Sequence, residues 1–196
     1  TKIEEEAFSS STLKNVIFPE GLKKIGDNAF ANCKYLTKVT IPGSVKVVDG
    51  FCESGIRELT LEEGIQKINE NAFCKCNQLT SVTLPDSLTS AAGFARCKKL
   101  EKVVLGKNVQ SIDESAFSGT SLTEITIPKR VDIIDQDAFS KCKNLKKITF
   151  KGTPSDISPY AFDGTAVVTE PGSIKTQYTW AVLDRLKSTR KKSVFN

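Results

Sequence analysis

The stretch Asp27-Asn28-Ala29-Phe30-Ala31-Asn32-Cys33-Lys34-Tyr35-Leu36-Thr37-Lys38-Val39-Thr40-Ile41-Pro42-Gly43-Ser44-Val45-Lys46-Val47-Val48 decides the fold, because the chain repeats its pattern on both sides. Phenylalanine recurs at Phe8, Phe30, Phe51, Phe73, Phe94, Phe117, Phe139 and Phe162, at spacings of 22, 21, 22, 21, 23, 22 and 23 residues. Five or six residues after each Phe stands an aliphatic residue, from Leu13 and Leu36 to Leu145 and Val167. Three further on come Val16, Val39, Leu59, Val82, Val103, Ile125 and Ile148, and two beyond those Phe18, Ile41, Leu61, Leu84, Leu105, Ile127 and Phe150. A turn residue often follows (Pro19, Pro42, Pro85, Gly106, Pro128), then a second aliphatic pair three apart, such as Val45 with Val48 or Ile65 with Ile68.

The period of two in Val39-x-Ile41 marks a short strand with one buried face. The segment Asp27-Asn28-Ala29-Phe30, with acids before it and bases after it, fits a turn of helix whose dipole those charges complement. A unit of about 22 residues cannot enclose its own apolar face. Units must therefore stack, strand beside strand at about 4.8 Å, into a solenoid in which eight coils run roughly 40 Å.

The composition agrees with a folded, soluble chain: 196 residues, 39% hydrophobic, 26% charged, net charge +5. That length suggests one or two domains. There is no His and no Met, which removes Ser-His-Asp and Cys-His catalysis, imidazole metal sites and most proton shuttling near neutral pH. No run of about 18 apolar residues and no charged-then-apolar leader is present, so nothing in this segment inserts into a membrane. The first residue is Thr1, so the chain reads as a mature protein or an excised piece, and a missing leader says nothing about location.

The unit AFxxCxxLxxVxIPxxVxxIxxx resembles the leucine-rich repeats of the BspA-like type, over about residues 3 to 168. The resemblance implies a leucine-rich-repeat solenoid, β-rich α/β, coiling right-handed through about seven to eight repeats. Short strands would line its concave face and a helical cap would close its C-terminal end. It further implies a non-enzymatic scaffold of the bacterial surface or secreted type, extracytoplasmic, for adhesion or protein binding. No cofactor, catalytic residue or metal site is expected.

The ends divide the chain into a repeat array, 1–168, and a capping helix with a basic tail, 169–196. Ile3 precedes Phe8 as Ile25 precedes Phe30, so the chain starts inside a unit and the array reads as truncated at its N-terminal end. After Glu170-Pro171-Gly172, Ser173 reads as a helix N-cap, and Ile174, Tyr178, Val182 or Ala181, and Leu186 or Leu183 would share one helical face, with Trp180 expected to pack in the cap. The five bases Arg185, Lys187, Arg190, Lys191 and Lys192 suit a solvated helix end, a reading favoured over polyanion binding by the tail.

Four of the six Cys, Cys33, Cys76, Cys97 and Cys142, stand three residues after a repeat Phe, in the four units with six residues from Phe to Leu. That register makes each a buried thiol filling a small apolar space. Cys74-Lys75-Cys76 has no second pair at zinc-finger spacing, so zinc is not expected. Cys52 and Cys74 each follow their Phe by one residue in adjacent coils, about 5 Å apart, which makes them a candidate disulfide in an oxidising compartment. Small residues, Ser9, Ala31, Ala95 and Ser118, hold that place elsewhere, so on the sequence alone a small side chain in a small space is favoured over the bond.

The residues flanking the buried Val point outward on the expected binding face. They are Asn15 and Ile17, Lys38 and Thr40, Glu58 and Thr60, Ser81 and Thr83, Lys102 and Val104, Glu124 and Thr126, Lys147 and Thr149. The second column is a Thr ladder broken by Ile17 and Val104, and the first alternates in charge. β-branched residues also simply suit strands. The expected partner is a protein, such as a host matrix component or receptor, and not a nucleic acid, since bases are not interleaved with exposed aromatics. Two alternatives stay open. One is a structural spacer in a larger surface protein; the other is a sulfated glycan held along the bases that follow each Phe, among them Lys34, Lys75, Arg96, Lys98 and Lys141. Gly50-Phe51 and Gly93-Phe94 replace Ala-Phe in two short units, where a tighter bend without the helical turn is expected.

Overall fold

The computed structural model describes residues 1–166. In chain order the strands are β1 (Lys2–Ile3), β2 (Lys24–Ile25), β3 (Lys38–Ile41), β4 (Val47–Val48), β5 (Glu58–Leu61), β6 (Lys67–Ile68) and β7 (Ser81–Thr83). They continue with β8 (Ser90–Ala91), β9 (Lys102–Val104), β10 (Ser111–Ile112), β11 (Glu124–Ile127), β12 (Ile133–Ile134), β13 (Lys147–Phe150) and β14 (Asp156–Ile157). The array is a β-solenoid of about seven turns. The expected capping helix and basic tail, 169–196, lie outside the described residues.

Each full coil contributes one strand to each of two parallel ladders. The Val-x-Ile segments form the first, paired β3–β5, β7–β9 and β11–β13, and Asn15 adds an isolated bridge to Lys38. The second aliphatic pairs form the other, as β1–β2, β4–β6 and the four-stranded β8–β10–β12–β14. Burial alternates along β3 and β11, with Val39, Ile41, Ile125 and Ile127 inside and Lys38, Thr40, Glu124 and Thr126 outside, as the period of two requires.

The third side of each coil corrects the expectation of a helical turn. Among the described residues there is no helix. The segment around each Phe is a pair of turns in which i−3 hydrogen bonds within the coil, such as Ala31 N–H to Asn28 and Cys33 N–H to Phe30, alternate with bonds to the neighbouring coil. Each Phe N–H donates to the carbonyl just before the next Phe: Phe8 to Ala29, Phe30 to Gly50, Phe51 to Ala72, Phe73 to Gly93, Phe94 to Ala116, Phe117 to Ala138 and Phe139 to Ala161, at 2.7–3.0 Å. Two residues on, the N–H of Ser10, Asn32, Glu53, Lys75, Arg96, Gly119 and Lys141 donates to the residue after the next Phe. That second donor is aimed by a left-handed backbone. The residue two after Phe has positive φ in all eight units, at Ser10, Asn32, Glu53, Lys75, Arg96, Gly119, Lys141 and Gly164. An α-helix would spend these groups on its own i−4 partners; here a third ladder between coils satisfies them.

The rings themselves form a continuous column. Consecutive repeat Phe are stacked with centroids 5.1–5.9 Å apart and planes within 17° of parallel. The six from Phe30 to Phe139 are wholly buried, while Phe8 is 41% exposed. Burying one such side chain contributes roughly 1.5–3 kcal/mol, and aromatic pairing adds about 0.5–1.5 kcal/mol.

Gly50 and Gly93 take φ of +96° and +98°, and the Phe-side ladder runs through both short units unbroken. A Cβ on Gly93 would lie 2.7 Å from Ile68 Cγ2 and 2.8 Å from the Asn69 carbonyl oxygen. Gly93→Ala therefore combines a left-handed penalty of about 1–2 kcal/mol with an overpacking cost of about 1–3 kcal/mol. Urea unfolding should show a loss of about 2–5 kcal/mol, whereas Arg96→Gly, at an exposed left-handed position, should shift stability by less than about 1 kcal/mol.

Candidate functional site

The outward residues of the first ladder stand in two columns, one residue per coil. Register places Lys38 beside Glu58 and Thr40 beside Thr60, Ser81 beside Lys102 and Thr83 beside Val104, Glu124 beside Lys147 and Thr126 beside Thr149. All are exposed except Thr149, which is half-buried. Asn15 and Ile17 extend both columns into the first coil, where Ile17 is 94% exposed. The only ion pair on these columns among the described residues is Lys38 Nζ to Glu58 Oε2, 3.2 Å. Both partners are solvated, and such a pair contributes under about 1 kcal/mol. The face is thus a polar, β-branched surface that leaves most of its charges unspent.

The ladder is not continuous. Neither β5 and β7 nor β9 and β11 share a hydrogen-bonded register, although each pair is adjacent in the stack. A groove of about 710 Å³ lies over the second break, lined by β9, β11 and the turn tips that follow them. Lys102, Val104, Glu124 and Thr126 of the two columns border it, together with Lys107, Lys129 and Lys151. Those last three lysines were not singled out from the sequence. The available signal was a base just after the strand in three successive units.

Beside the Phe column the thiols occupy the positions that the register assigns, and the structure adds a partner for each. Cys33, Cys76, Cys97 and Cys142 are fully buried, and their Sγ donate to the carbonyls of Phe8, Phe51, Phe73 and Phe117 in the preceding coil, at 3.0–3.2 Å. Three of the four units without Cys carry Ser11, Ser54 and Thr120 at the same place, and their hydroxyls meet the neighbouring thiols at 3.2–3.3 Å. The column is therefore one of small polar side chains, not purely apolar plugs. Desolvation by burial pushes the Cys76 thiol up to about 11 and drives Cys97 and Cys142 upward as well. A thiolate is the reactive form, so ionisation of Cys76, Cys97 and Cys142 is disfavoured, and burial shields Cys33 from reagents. At pH 8 a thiol reagent should label none of the four in the folded protein and all four once it is unfolded without reductant.

Cys52 and Cys74 are joined by a disulfide with Cα atoms 4.6 Å apart, bridging the third and fourth units. Beside it Glu53 holds Lys75 Nζ at 2.6 Å and Lys34 Nζ at 3.8 Å, and these cations keep its carboxyl below the ordinary range. Two bases of the stripe that follows the Phe column are thus already paired. A bond closing 22 residues of chain contributes roughly 3 kcal/mol on the chain-entropy model. Reduction, or Cys52→Ser with Cys74→Ser, should lower the urea-unfolding free energy by about that amount.

Among the described residues no helix is long and apolar enough to cross a membrane, and no group of three His, Cys, Asp or Glu side chains is placed to hold a metal ion.

The model of the BspA type leucine rich repeat region, in six copies, matches residues 1–93 and 90–176. A leucine rich cell surface protein from Faecalibacterium prausnitzii A2-165 superposes with a TM-score of 0.63 at 33% identity, covering 78% of this chain and 43% of its own. A leucine-rich repeat protein from Bacteroides ovatus superposes with a TM-score of 0.54 at 20% identity, covering 85% of this chain and 63% of its own, a likeness of fold. The chain thus spans less than two thirds of either neighbour. No match was found among curated proteins.

Proposed function

Because the chain belongs to the BspA-type leucine-rich repeat family, we propose that it is a non-enzymatic protein-binding scaffold, displayed at a cell surface or secreted, that reads its partner with the first strand ladder. The observation that carries this reading is the face itself: two solvent-facing columns run across seven coils, from Asn15 and Ile17 to Lys147 and Thr149, and only Lys38 and Glu58 neutralise each other. Repeat arrays bind through such extended ribbed surfaces. A partner laid across several coils gains many weak contacts from a surface that is already ordered, so little ordering entropy opposes binding.

Catalysis has no comparable support. Imidazole is absent from the chain, and the acids and bases follow the repeat instead of converging on a pocket. The Cys52–Cys74 bond suits an oxidising, extracytoplasmic location, and the cell-surface neighbour from Faecalibacterium points the same way. A sulfated-glycan role for the bases after each Phe is weakened because Glu53 occupies Lys34 and Lys75. A spacer role is favoured by one feature, the unbroken Phe column and its ladder, which make the array stiff along its axis.

A binding screen against matrix proteins, receptor ectodomains and heparin, at low salt and at about 0.5 M salt, tests the reading. Salt-resistant binding to a protein is expected, weakened at least tenfold by Lys38→Glu, Lys102→Glu and Lys147→Glu combined with Thr40→Arg and Thr126→Arg. No binding, or salt-sensitive heparin binding that survives those changes, would sink it in favour of the spacer or the basic edge.

A further inference from the structure

The turn tips that follow the first strand ladder are sorted by charge along the stack. The first four carry Glu20, Glu62, Glu63 and Asp86, and the last three carry Lys107, Lys129, Arg130 and Lys151. Three of the four acids already have work. Glu62 accepts from the Gly43 N–H, Glu63 accepts from the N–H groups of Asp86 and Ser87, and Asp86 accepts from the Lys107 N–H and pairs with its Nζ at 2.9 Å. Their role in joining coils explains their presence. Lys107 apart, the bases beyond them have no such role: among the described residues, no ion pair or side-chain hydrogen bond engages Lys102, Lys129 or Lys151.

These free cations surround the groove over the break between β9 and β11, where no backbone hydrogen bond joins the two strands. Its wall includes Val104, which replaces Thr in the outward column and is 45% exposed. The groove thus combines a row of ammonium groups on one rim, an aliphatic contact in the wall and backbone edges without strand partners. Glu101 and Glu124 also line it. Those two carboxylates would repel a uniformly sulfated chain but leave room for a ligand whose charges are interrupted by apolar groups.

We propose that this groove is where the partner docks, through an extended acidic segment of a protein that sets carboxylates on Lys107, Lys129 and Lys151 and an aliphatic side chain against Val104. The inference rests on the strand-face reading above and narrows it to the fifth to seventh coils and to an acidic, partly apolar peptide. Lys107 would exchange one exposed carboxylate, Asp86, for a second or share itself between both, while Lys129 and Lys151 gain their first partners. A dock of this kind is electrostatically steered, so salt should act mainly on the association rate.

The probe is a fluorescein-labelled eight-residue peptide of alternating Glu and Val, compared by anisotropy with Gln-Val and Glu-Gly counterparts and with heparin as competitor. The Glu-Val peptide is expected to bind the full chain at least tenfold more tightly than either counterpart. Lys129→Glu with Lys151→Glu should weaken it at least tenfold, and Val104→Thr several-fold. Each variant should keep the parent unfolding midpoint, since the lysines are exposed and Thr is the usual residue of the Val104 column. Lys141→Glu with Lys143→Glu, the same charge change on the Phe side, should have little effect. Absence of Glu-Val binding, or equal binding of Glu-Gly with full competition by heparin, overturns the proposal; the second outcome indicates a simple polyanion patch. If Lys129→Glu with Lys151→Glu has no effect but Lys38→Glu with Thr60→Arg abolishes binding, the groove fails while the strand-face reading stands. Indifference to both pairs of substitutions removes both.

Discussion

Every coil depends on a hydrogen bond it cannot make alone. The N–H of each repeat Phe from Phe8 to Phe139 bonds no acceptor inside its own unit and finds one just before the next Phe. That bond fixes the coil spacing at the Phe side, and the spacing in turn lets the rings stack at 5.1–5.9 Å. Ring burial supplies the driving force and the bond supplies the register. Neither works without a neighbouring unit, which is why a chain of 21–23-residue units folds only as an array.

The left-handed residue two after each Phe is the local device that makes this geometry possible. It turns the backbone so that a second N–H points along the stack beside the first. Only Gly119 and Gly164 fill the position with the residue that accepts such a conformation freely; Ser10, Asn32, Glu53, Lys75, Arg96 and Lys141 hold it against an intrinsic cost of about 1–2 kcal/mol each. That the strained conformation recurs with such different side chains indicates that the bonds it aims outweigh its cost in every coil.

These relations explain what could be read beforehand. Burial of Phe30, Leu36, Val39, Ile41, Val45 and Val48 follows from spacing alone, because side-chain direction is set by local periodicity. The turn at Asp27-Asn28-Ala29-Phe30 was not legible in the same way. Its charges suit a helix dipole, yet the donors are claimed by the next coil, and a single unit contains no sign of that competition. The Cys column was legible as buried but not as hydrogen-bonded, since the partners are backbone carbonyls one coil away and the alternation with Ser11, Ser54 and Thr120 acquires meaning only when units are superimposed. The outward columns were legible because they complement the buried ones. The groove was not, because it depends on which neighbouring strands fail to pair, and β9 and β11 carry the same pattern as strands that do.

The bridge between Cys52 and Cys74 has a mechanical consequence. In a stack held only by ladders, tension applied at the two ends peels coils away in series, and each lengthens the chain by its full contour. The bridged coil is exempt: the 22 chain steps from Cys52 to Cys74 lie behind a covalent shortcut. About 75 Å of extended chain, at roughly 3.4 Å per residue, stays out of reach of a pulling force until the bond is reduced. A tether built from such coils would extend by a length that depends on the redox state of its surroundings.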